Sequence, residues 1–256
     1  MGVSMATAKL WVERWERQQQ RYAVDREERF TVIADVIEHI TADRTRPHLL
    51  DLGCGPGSLA ARLNERLPDA EIVAVDMDPL LLELARTHHA GAARYVDAVI
   101  GDDGWADALG LNRPLDAAVS TTALHYLAEP VLLSTYRRLA QLLRPGGALV
   151  NGDHFPPGGP PCSDLTAHVG RRRAERSRTH IHENWQSWWA AAAQDSELAD
   201  LFTEREQRQP SGANGSGGDN GLTAARHAEL LRQAGFRHVA PVWQFGDSQV
   251  LVAVKG

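Results

Sequence analysis

The sequence predicts an α/β fold with a seven-stranded, mostly parallel sheet. Three observations predict it. Short apolar runs alternate with amphipathic helical segments between residues 48 and 154, a glycine-rich loop at 53–57 follows the first run, and two closing strands are predicted at 237–245 and 248–254. Strands that alternate with helices pair in parallel, because each helix carries the chain back to the same end of the sheet. The closing pair is separated by a tight turn at Gly246 and is expected to be antiparallel.

The elements follow in a regular order. Two N-terminal helices are predicted at 5–21 and 25–42, the second with Phe30, Ile33 and Ile37 at helical spacing. The next five strands are predicted at 48–52, 71–76, 93–99, 115–120 and 147–154, with helices at 57–67, 79–90 and 129–143 between them. A last helix at 223–234 precedes the closing strands. The alternation therefore accounts for most of the chain up to residue 154.

A proline-rich run at Phe155–Pro161 interrupts the alternation and indicates a rigid, non-helical linker. Helices are predicted over 163–208, where Trp185, Trp188 and Trp189 cluster, and a flexible loop at 211–221. Ligands of open α/β sheets bind beyond the carboxyl ends of the strands, which is where this insertion leaves the sheet. The predicted organisation is a helical lid at 1–44, a core at 45–155, a helical insertion that caps the acceptor at 156–222, and the end of the core at 223–256.

Composition limits the function classes. The chain has 256 residues and a net charge of −6, so there is no overall signal for nucleic-acid binding. Cys54 and Cys162 fit neither a disulfide framework nor a zinc pattern, so a cytoplasmic location and no metal are expected. No apolar run approaches membrane-spanning length. We expect no nucleic-acid or membrane partner, and the composition leaves monomer and homodimer open.

The segment Asp51-Leu52-Gly53-Cys54-Gly55-Pro56-Gly57 is the most informative in the chain. Glycines let a backbone approach a ligand closely, and the helix that follows offers free N–H groups to an anion. Asp76 ends the second predicted strand, where an acid can accept hydrogen bonds from ribose hydroxyls. The pattern predicts a nucleoside-containing cofactor. A domain that uses NAD, or one that has lost its ligand, is the alternative interpretation.

The spacing Asp51-x-Gly53-x-Gly55-x-Gly57 resembles motif I of the class I S-adenosylmethionine (SAM) methyltransferases, which have a Rossmann-like fold. Three later segments resemble the family's motifs in the same order, namely Ala74–Pro79, Leu115–Leu127 and Leu142–Val150 with its Pro145-Gly146-Gly147 turn. Leu230–Phe236 resembles the last helix before the closing hairpin. The resemblance covers about residues 45–155 and 223–255. It implies an enzyme that uses SAM and releases S-adenosylhomocysteine.

The resemblance also implies roles for individual residues. Asp51 and the loop residues Gly53, Cys54, Gly55 and Gly57 are expected to hold the methionine part of SAM. Asp76 is expected to bind the ribose. Met77 is expected against the adenine, with a place in the core as the alternative. Ser120 and Thr121 are expected to line the reaction centre.

The adenine side departs from the family, because Val99 stands where relatives often place an acid. Asp102 is a substitute, as are Asp97 and Asp103, and the Ile100 N–H can donate to adenine. Trp105 is expected to stack on the ring, unless it belongs to the core.

Deprotonating an acceptor requires a base, and histidine is the usual one near neutral pH. His125 follows the fourth strand and His154 the fifth, so both are candidates, and Asp153 is expected to orient or replace His154. A structural role is the alternative for each histidine. The pair His180 and His182 with Glu183 resembles a metal site only weakly, because residues i and i+2 of a helix point apart.

The predicted function is methyl transfer from SAM to a small-molecule acceptor, by O- or N-methylation of a metabolite. The clustered tryptophans favour an enclosed pocket. The arginines around Arg173 either form a solvated face or recognise an anionic acceptor. A protein or RNA methyltransferase and a non-catalytic SAM-binding module are the alternatives.

Overall fold

A single seven-stranded sheet organises the chain in a computed structural model that describes residues 2–159, 161–208 and 219–256. The strands are β1 (His48–Leu52), β2 (Glu71–Asp76), β3 (Arg94–Asp97), β4 (Leu115–Thr121), β5 (Leu143–His154), β6 (Phe236–Phe245) and β7 (Ser248–Lys255). Their order in the sheet is β3-β2-β1-β4-β5-β7-β6, and β7 runs antiparallel to both of its neighbours while the other pairs are parallel. The predicted fold class is confirmed.

Helices cover both faces of the sheet. The described residues contain α1 (Met5–Gln19), α2 (Arg26–Ile40), α3 (Ser58–Arg66), α4 (Pro79–His88), α5 (Trp105–Ala108), α6 (Glu129–Leu142), α7 (Cys162–Ser177), α8 (Trp185–Ala192), α9 (Ala199–Arg208) and α10 (Ala224–Gln233). On one face α2 and α3 bury Ile33, Ile37 and Leu63 against the sheet. On the other, α6 and α10 bury Tyr136 and Leu231. Alternate residues of the strands supply the two cores, because successive side chains of a strand point to opposite faces.

The strand order reverses at β1, which lies between β2 and β4. In register, Leu52 is aligned with Val75 on one side and Ser120 on the other, so β1, β2 and β4 end at the same level. The crevice beyond such a reversal is where ligands bind in open α/β sheets. The topology therefore brings the glycine loop after β1 next to Asp76 and Thr121.

Two strand boundaries differ from the sequence prediction by more than one residue. β3 ends at Asp97 instead of residue 99, because β2 ends at Asp76 and offers no further partner. β5 begins at Leu143 instead of residue 147, because Leu143 pairs with Leu115 before an irregularity at the predicted turn. Most of the predicted loop at 211–221 lies outside the described residues.

The N-terminal helix and part of the insertion pack into a third layer, which we call the cap: α1, α8 and α9. Its core contains Trp11, Trp15 and Trp188 and lies against the leucines of α4. The Trp188 ring meets those of Trp11 and Trp15 edge-on, at centroid distances of 5.5 and 5.1 Å. Edge-on packing of this kind stabilises an aromatic cluster beyond the area that it buries.

Helix α7 lies apart from the cap and has no fully buried residue. Arg173 joins it to the body of the protein by pairing with Asp25 and by lying 4.7 Å over the Phe245 ring. No helix among the described residues has the length and apolar character needed to cross a membrane.

Candidate functional site

The glycine loop between β1 and α3 requires glycine for steric reasons. Gly53 has a φ of 69°, and a β-carbon there would stand 2.3 Å from Cβ of Ala123. Gly57 has a φ of 84°, caps the start of α3, and would place a β-carbon 2.7 Å from the Tyr95 hydroxyl. Left-handed backbone and close neighbours together exclude larger residues. The backbone N–H groups of the loop itself donate within the protein, those of Gly53 and Cys54 to the Val75 carbonyl and that of Gly55 to Asp76, so the loop is a tight, fixed turn.

Asp51 lies at the base of this loop and is fully buried. Neither carboxylate oxygen has a hydrogen-bond partner within the described residues. Burial, reinforced by the charge of Asp76, raises the pKa of Asp51 to about 7. A buried carboxylate without partners is costly, and such groups in native proteins usually have a functional explanation.

Asp76 closes the other side of the loop. Its carboxylate accepts hydrogen bonds from the backbone N–H groups of Gly55 (2.7 Å), Met77 (2.8 Å) and Asp78 (3.0 Å). Burial raises the pKa of Asp76 despite these donors. Three donors leave part of the accepting capacity of a carboxylate, which has about four lone-pair sites.

A cavity of about 680 Å³ opens between the glycine loop and the cap. Its lining from the sequence-predicted site is Asp51, Gly53, Cys54, Gly55, Asp76, Met77, Ile100, Thr121, His125 and His154. Further lining residues that the sequence did not single out for the site are Trp15, Gln19, Tyr22, Ala23, Arg26, Thr122, Ala123, Tyr126, Leu127 and Asp219, with Trp185 from the predicted tryptophan cluster. One signal could have found Trp15: it stands four residues after Trp11, the spacing of a buried helical stripe.

Several sequence-predicted residues do not line the cavity, among them Asp153, which is fully buried. Ser120 is fully buried and donates to the Leu52 carbonyl (2.9 Å), which turns its hydroxyl into the sheet. Asp102 is exposed in the turn before α5. Gly57 acts as the start of α3 and not as a wall. Trp105 belongs to the core beneath the sheet, so the stacking position predicted for it is not observed.

His125 and Asp153 form a hydrogen-bonded pair at the cavity wall. Nδ1 of His125 lies 2.8 Å from Oδ1 of Asp153, which also accepts from the backbone N–H of His154 (2.9 Å). Burial lowers the pKa of His125, but the bond and the charge of Asp153 outweigh burial and raise it. Burial conversely raises the pKa of Asp153, and His125 and Arg29 together hold it below its usual range. Asp153 is therefore the ionised carboxylate of the pair, and the shared proton belongs to Nδ1 of His125.

This pairing differs from the prediction that Asp153 orients His154. The two residues are neighbours on β5, so their side chains point to opposite faces of the sheet. Asp153 points towards the face covered by α6 and α10, whereas His154 points towards α2. The sequence placed both residues at the site but gave Asp153 the wrong histidine.

His154 is bound instead by a buried arginine. Arg29 of α2 is fully buried, and its Nη2 lies 3.1 Å from Nε2 of His154 and 2.6 Å from Oγ of Ser248. Burial lowers the pKa of Arg29 to about 10, so the guanidinium remains charged. A guanidinium only donates, so Nε2 of His154 accepts its hydrogen bond. The Nδ1 of His154 lies 3.4 Å from Asp247.

Asn220 fixes the short 3-10 turn, Leu124–Tyr126, that carries His125. Its backbone N–H donates to the His125 carbonyl (2.8 Å), and its side-chain amide donates to the Leu127 carbonyl (3.0 Å). These bonds hold both ends of the turn. Asp153 of β5 and Asn220 together fix the position of His125, the first through its ring and the second through its backbone.

Polar contacts join α1 and the segment that follows it to the insertion. Arg14 pairs with Glu183 at 2.5 Å, and Arg21 donates to the carbonyls of His180 (2.8 Å) and His182 (2.9 Å). The residues that weakly resembled a metal site therefore bind arginine through a carboxylate and backbone carbonyls. Trp15 and Trp185 meet at 5.1 Å between ring centroids and form part of the cavity wall.

Comparison with known proteins agrees with this geometry. Residues 49–147 match the family model described as "Methyltransferase domain". An uncharacterized methyltransferase of Mycobacterium tuberculosis is 40% identical over 102 residues, which are 40% of this chain and 47% of that protein. Residues 49–147 therefore form a methyltransferase domain. The match begins at β1 and ends in the turn within β5.

Other relatives of the methyltransferase domain carry different names. Trans-aconitate 2-methyltransferase of Methylobacterium radiotolerans is 32% identical over 123 residues, 48% of this chain and 44% of that protein. The chain thus spans about half the length of the curated relatives it matches.

Solved structures share the fold of this methyltransferase domain and its surroundings. A DszA carbon methyltransferase has a TM-score of 0.56 at 15% identity and covers 90% of this chain and 54% of its own. Human N-acetylserotonin methyltransferase in complex with SAM has a TM-score of 0.53 at 18% identity and covers 95% of this chain and 56% of its own. At these identities the similarity concerns the fold alone.

Proposed function

We propose that this protein transfers a methyl group from SAM to the oxygen or nitrogen of a small-molecule acceptor, with His125 as the general base. The observation that carries the proposal is that His125, which is hydrogen-bonded to the buried Asp153, lines the same cavity as the glycine loop. The cavity brings a cofactor loop and a base together, which methyl transfer to a protonated acceptor requires.

The residues around the loop fit SAM. The N–H groups of the first turn of α3, at Ser58 and Leu59 in the cavity lining, suit the carboxylate of its methionine part. The unpartnered carboxylate of Asp51 suits its ammonium group, and Asp76 has accepting capacity left for the ribose hydroxyls. We assign Met77 and Ile100, which line the cavity, to the adenine side. When bound, SAM supplies a methyl group on a positively charged sulfur that leaves as a neutral thioether.

His125 is suited to take the acceptor's proton. Asp153 accepts the hydrogen bond of Nδ1–H, so the neutral ring keeps the lone pair of Nε2. The carboxylate then stabilises the imidazolium that forms. Positioned proton transfer of this kind contributes about 10²–10⁴-fold to rate.

We do not assign this role to His154, although it also lines the cavity. Its Nε2 already accepts a hydrogen bond from Arg29, so that lone pair is not free to take a proton from an acceptor. We propose that His154 shapes the wall and anchors Arg29.

The cap over the cavity supports a small acceptor. Trp15 and Trp185 of the cap stand over the cavity, whereas a protein or RNA acceptor needs an open, charged groove. The names of the relatives span both classes, since they include a trans-aconitate 2-methyltransferase and a ribosomal RNA small subunit methyltransferase. We choose the small-molecule class because the cap of this chain covers the cavity.

The matched substitutions His125→Gln and His154→Gln test the proposal. The protein is incubated with methyl-labelled SAM and a small-metabolite extract, and labelled products are counted, while calorimetry measures SAM binding. We expect His125→Gln to bind SAM normally and to lose about 10²-fold or more in rate, and His154→Gln to stay within about tenfold of the wild type. Undiminished turnover in His125→Gln would show that His125 is not the general base. Absence of SAM binding in the wild type would refute the proposed function.

A further inference from the structure

We infer that the acceptor is an uncharged aromatic hydroxyl compound, a phenol, and that the cavity excludes carboxylic acids. This inference rests on the proposed function and names the acceptor class for the same site. It is carried by the walls of the cavity, by its charges and by the strength of the base.

The walls beside His125 are aromatic. Trp15, Tyr22, Tyr126 and Trp185 line the cavity and come from four separate segments of the chain. The Tyr126 ring lies 4.1 Å from the ring of His125, centroid to centroid, and is half exposed. Tyr22 is held in place by the bond from the Trp185 backbone N–H to its hydroxyl (2.9 Å). A flat aromatic acceptor would find offset or edge-on partners on several sides.

The charges of the cavity oppose an anionic acceptor. Asp219 lines it and stands near enough to His125 for its charge to raise the pKa of that ring, whereas the other acids of the lining, Asp51 and Asp76, lie at the cofactor loop. Arg26 is the one arginine or lysine in the lining formed by the described residues. The segment 209–218 contains no lysine or arginine in its sequence.

Arg26 is not available to a carboxylate. It is 6% exposed and pairs with Glu16, which also pairs with Arg62 at 3.2 Å. Arg62 in turn pairs with Glu27 at 2.7 Å, so two arginines and two glutamates close a neutral network. The charge of Arg26 is therefore balanced by Glu16 within this network, which leaves no excess positive charge to attract a carboxylate.

The base matches a phenol in strength. A phenolic hydroxyl has a pKa of about 10, within about four units of histidine, whereas the pKa of water, which alkyl hydroxyls resemble, is about 15.7. Carboxylic acids, with a pKa near 4, are already ionised and need no base. The His125–Asp153 pair is therefore useful for a phenol and superfluous for a carboxylic acid.

The proton and electron balance is complete. The phenol proton passes to Nε2 of His125, the oxygen forms a bond to the methyl carbon, and the carbon–sulfur bond of the donor breaks. The products are an aryl methyl ether and S-adenosylhomocysteine, and the imidazolium later releases its proton to water. The phenolate formed on the way is attracted both to the imidazolium and to the positive sulfur, an attraction that an amine lacks.

Four probes of one shape test the class: 2-naphthol, 2-naphthoic acid, 2-(aminomethyl)naphthalene and the saturated alcohol 2-decalol. Calorimetry measures their binding to the protein loaded with S-adenosylhomocysteine, and mass spectrometry measures methylation by SAM. We expect 2-naphthol to bind at least about tenfold more tightly than 2-naphthoic acid, a difference of about 1.4 kcal/mol, and to be converted to its methyl ether. We expect no ester, methylamine or decalyl ether.

Two variants and a control test which cavity residues determine the binding of the probes. Trp185→Ala should weaken 2-naphthol binding about tenfold or more, while Trp243→Ala, a half-buried tryptophan of β6 outside the cavity, should leave it unchanged. Asp219→Lys should admit 2-naphthoic acid, with at least about tenfold tighter binding.

The outcomes distinguish failure of the phenol class from failure of the proposed methyl transfer. Methylation of the acid or the amine but not of 2-naphthol keeps the proposed methyl transfer and overturns the phenol class. No binding of 2-naphthol at its solubility limit, or equal binding of 2-naphthoic acid, also overturns the class. Failure of the wild type to bind SAM or S-adenosylhomocysteine overturns the proposed function itself.

Discussion

Replacing Asp51 with asparagine should stabilise the cofactor-free protein at high pH and weaken its binding of SAM. Asp51 is fully buried without partners, and its pKa is raised to about 7 from 3.8. A carboxyl with a raised pKa in the folded state is harder to ionise there than in the unfolded chain. The loss of folding stability caused by ionised Asp51 is therefore absent below pH 3.8, grows as the pH rises towards 7, and is constant above pH 7.

The size of the effect follows from the shift. Each pKa unit corresponds to about 1.4 kcal/mol, so the full cost is about 4 kcal/mol, of which about 2–3 kcal/mol appears between pH 5 and pH 8. An amide does not titrate in this range. The free energy of unfolding of Asp51→Asn should therefore rise relative to the wild type by about 2–3 kcal/mol over that interval.

Thermal unfolding at pH 5 and pH 8 measures this difference without cofactor. In a domain of this size 1 kcal/mol shifts the midpoint by about 2–4 °C, so the gap between variant and wild type should widen by at least about 4 °C. Asp102→Asn, at an exposed acid outside the cavity, is the control and should show no widening. A gap that is the same at both pH values would refute the reasoning, because the carboxylate would then carry no burial cost. Calorimetry should show SAM binding to Asp51→Asn weakened by about tenfold or more.

Three further predictions concern the loop, the cap and the base. Gly53→Ala should abolish measurable SAM binding in calorimetry, since its β-carbon would stand 2.3 Å from a neighbouring one at a left-handed φ, and normal affinity would contradict that geometry. Trp188→Ala should lower the free energy of unfolding in urea by about 3–5 kcal/mol, and Trp243→Ala by much less; equal losses would contradict the packing of the cap. The kcat/KM should rise with pH as His125 loses its proton, at a midpoint above the usual 6.5, and Asp153→Asn should lower that midpoint. An unmoved midpoint would show that Asp153 does not act on the base.

The parts of the site that depend on local sequence were predictable. The turn after Asp51 requires glycine at positions 53 and 57, because both have a positive φ and close neighbours. Their spacing from Asp51 therefore identifies the cofactor-type loop in the sequence. Asp76 follows the next strand, and parallel strands that lie side by side end at the same edge. Local chemistry and one topological rule were therefore sufficient to predict that the glycine loop and Asp76 lie side by side.

The parts that depend on side-chain direction were not predictable to the same degree. Asp153 and His154 are adjacent in sequence, and only the register of β5 decides which of them faces His125. Trp105 has the residue type of a stacking partner, but the ring lies in the core, and nothing in its local sequence distinguishes the two positions. Arg29 was missed because its role depends on contacts with β5 and Ser248, which lie 123 and 219 residues away.

The contact between α1 and the insertion has a consequence for the order in which the protein is made. Arg14 and Glu183 are separated by 169 residues, and the tryptophans of α1 meet those of α8 across a similar distance. A ribosome delivers α1 first, and its aromatic stripe waits without this partner until most of the sheet has been synthesised. Exposed apolar surface of this kind invites aggregation during folding. A nascent chain halted after β5 would contain the glycine loop and Asp76. It would still lack α8, which covers the tryptophans of α1.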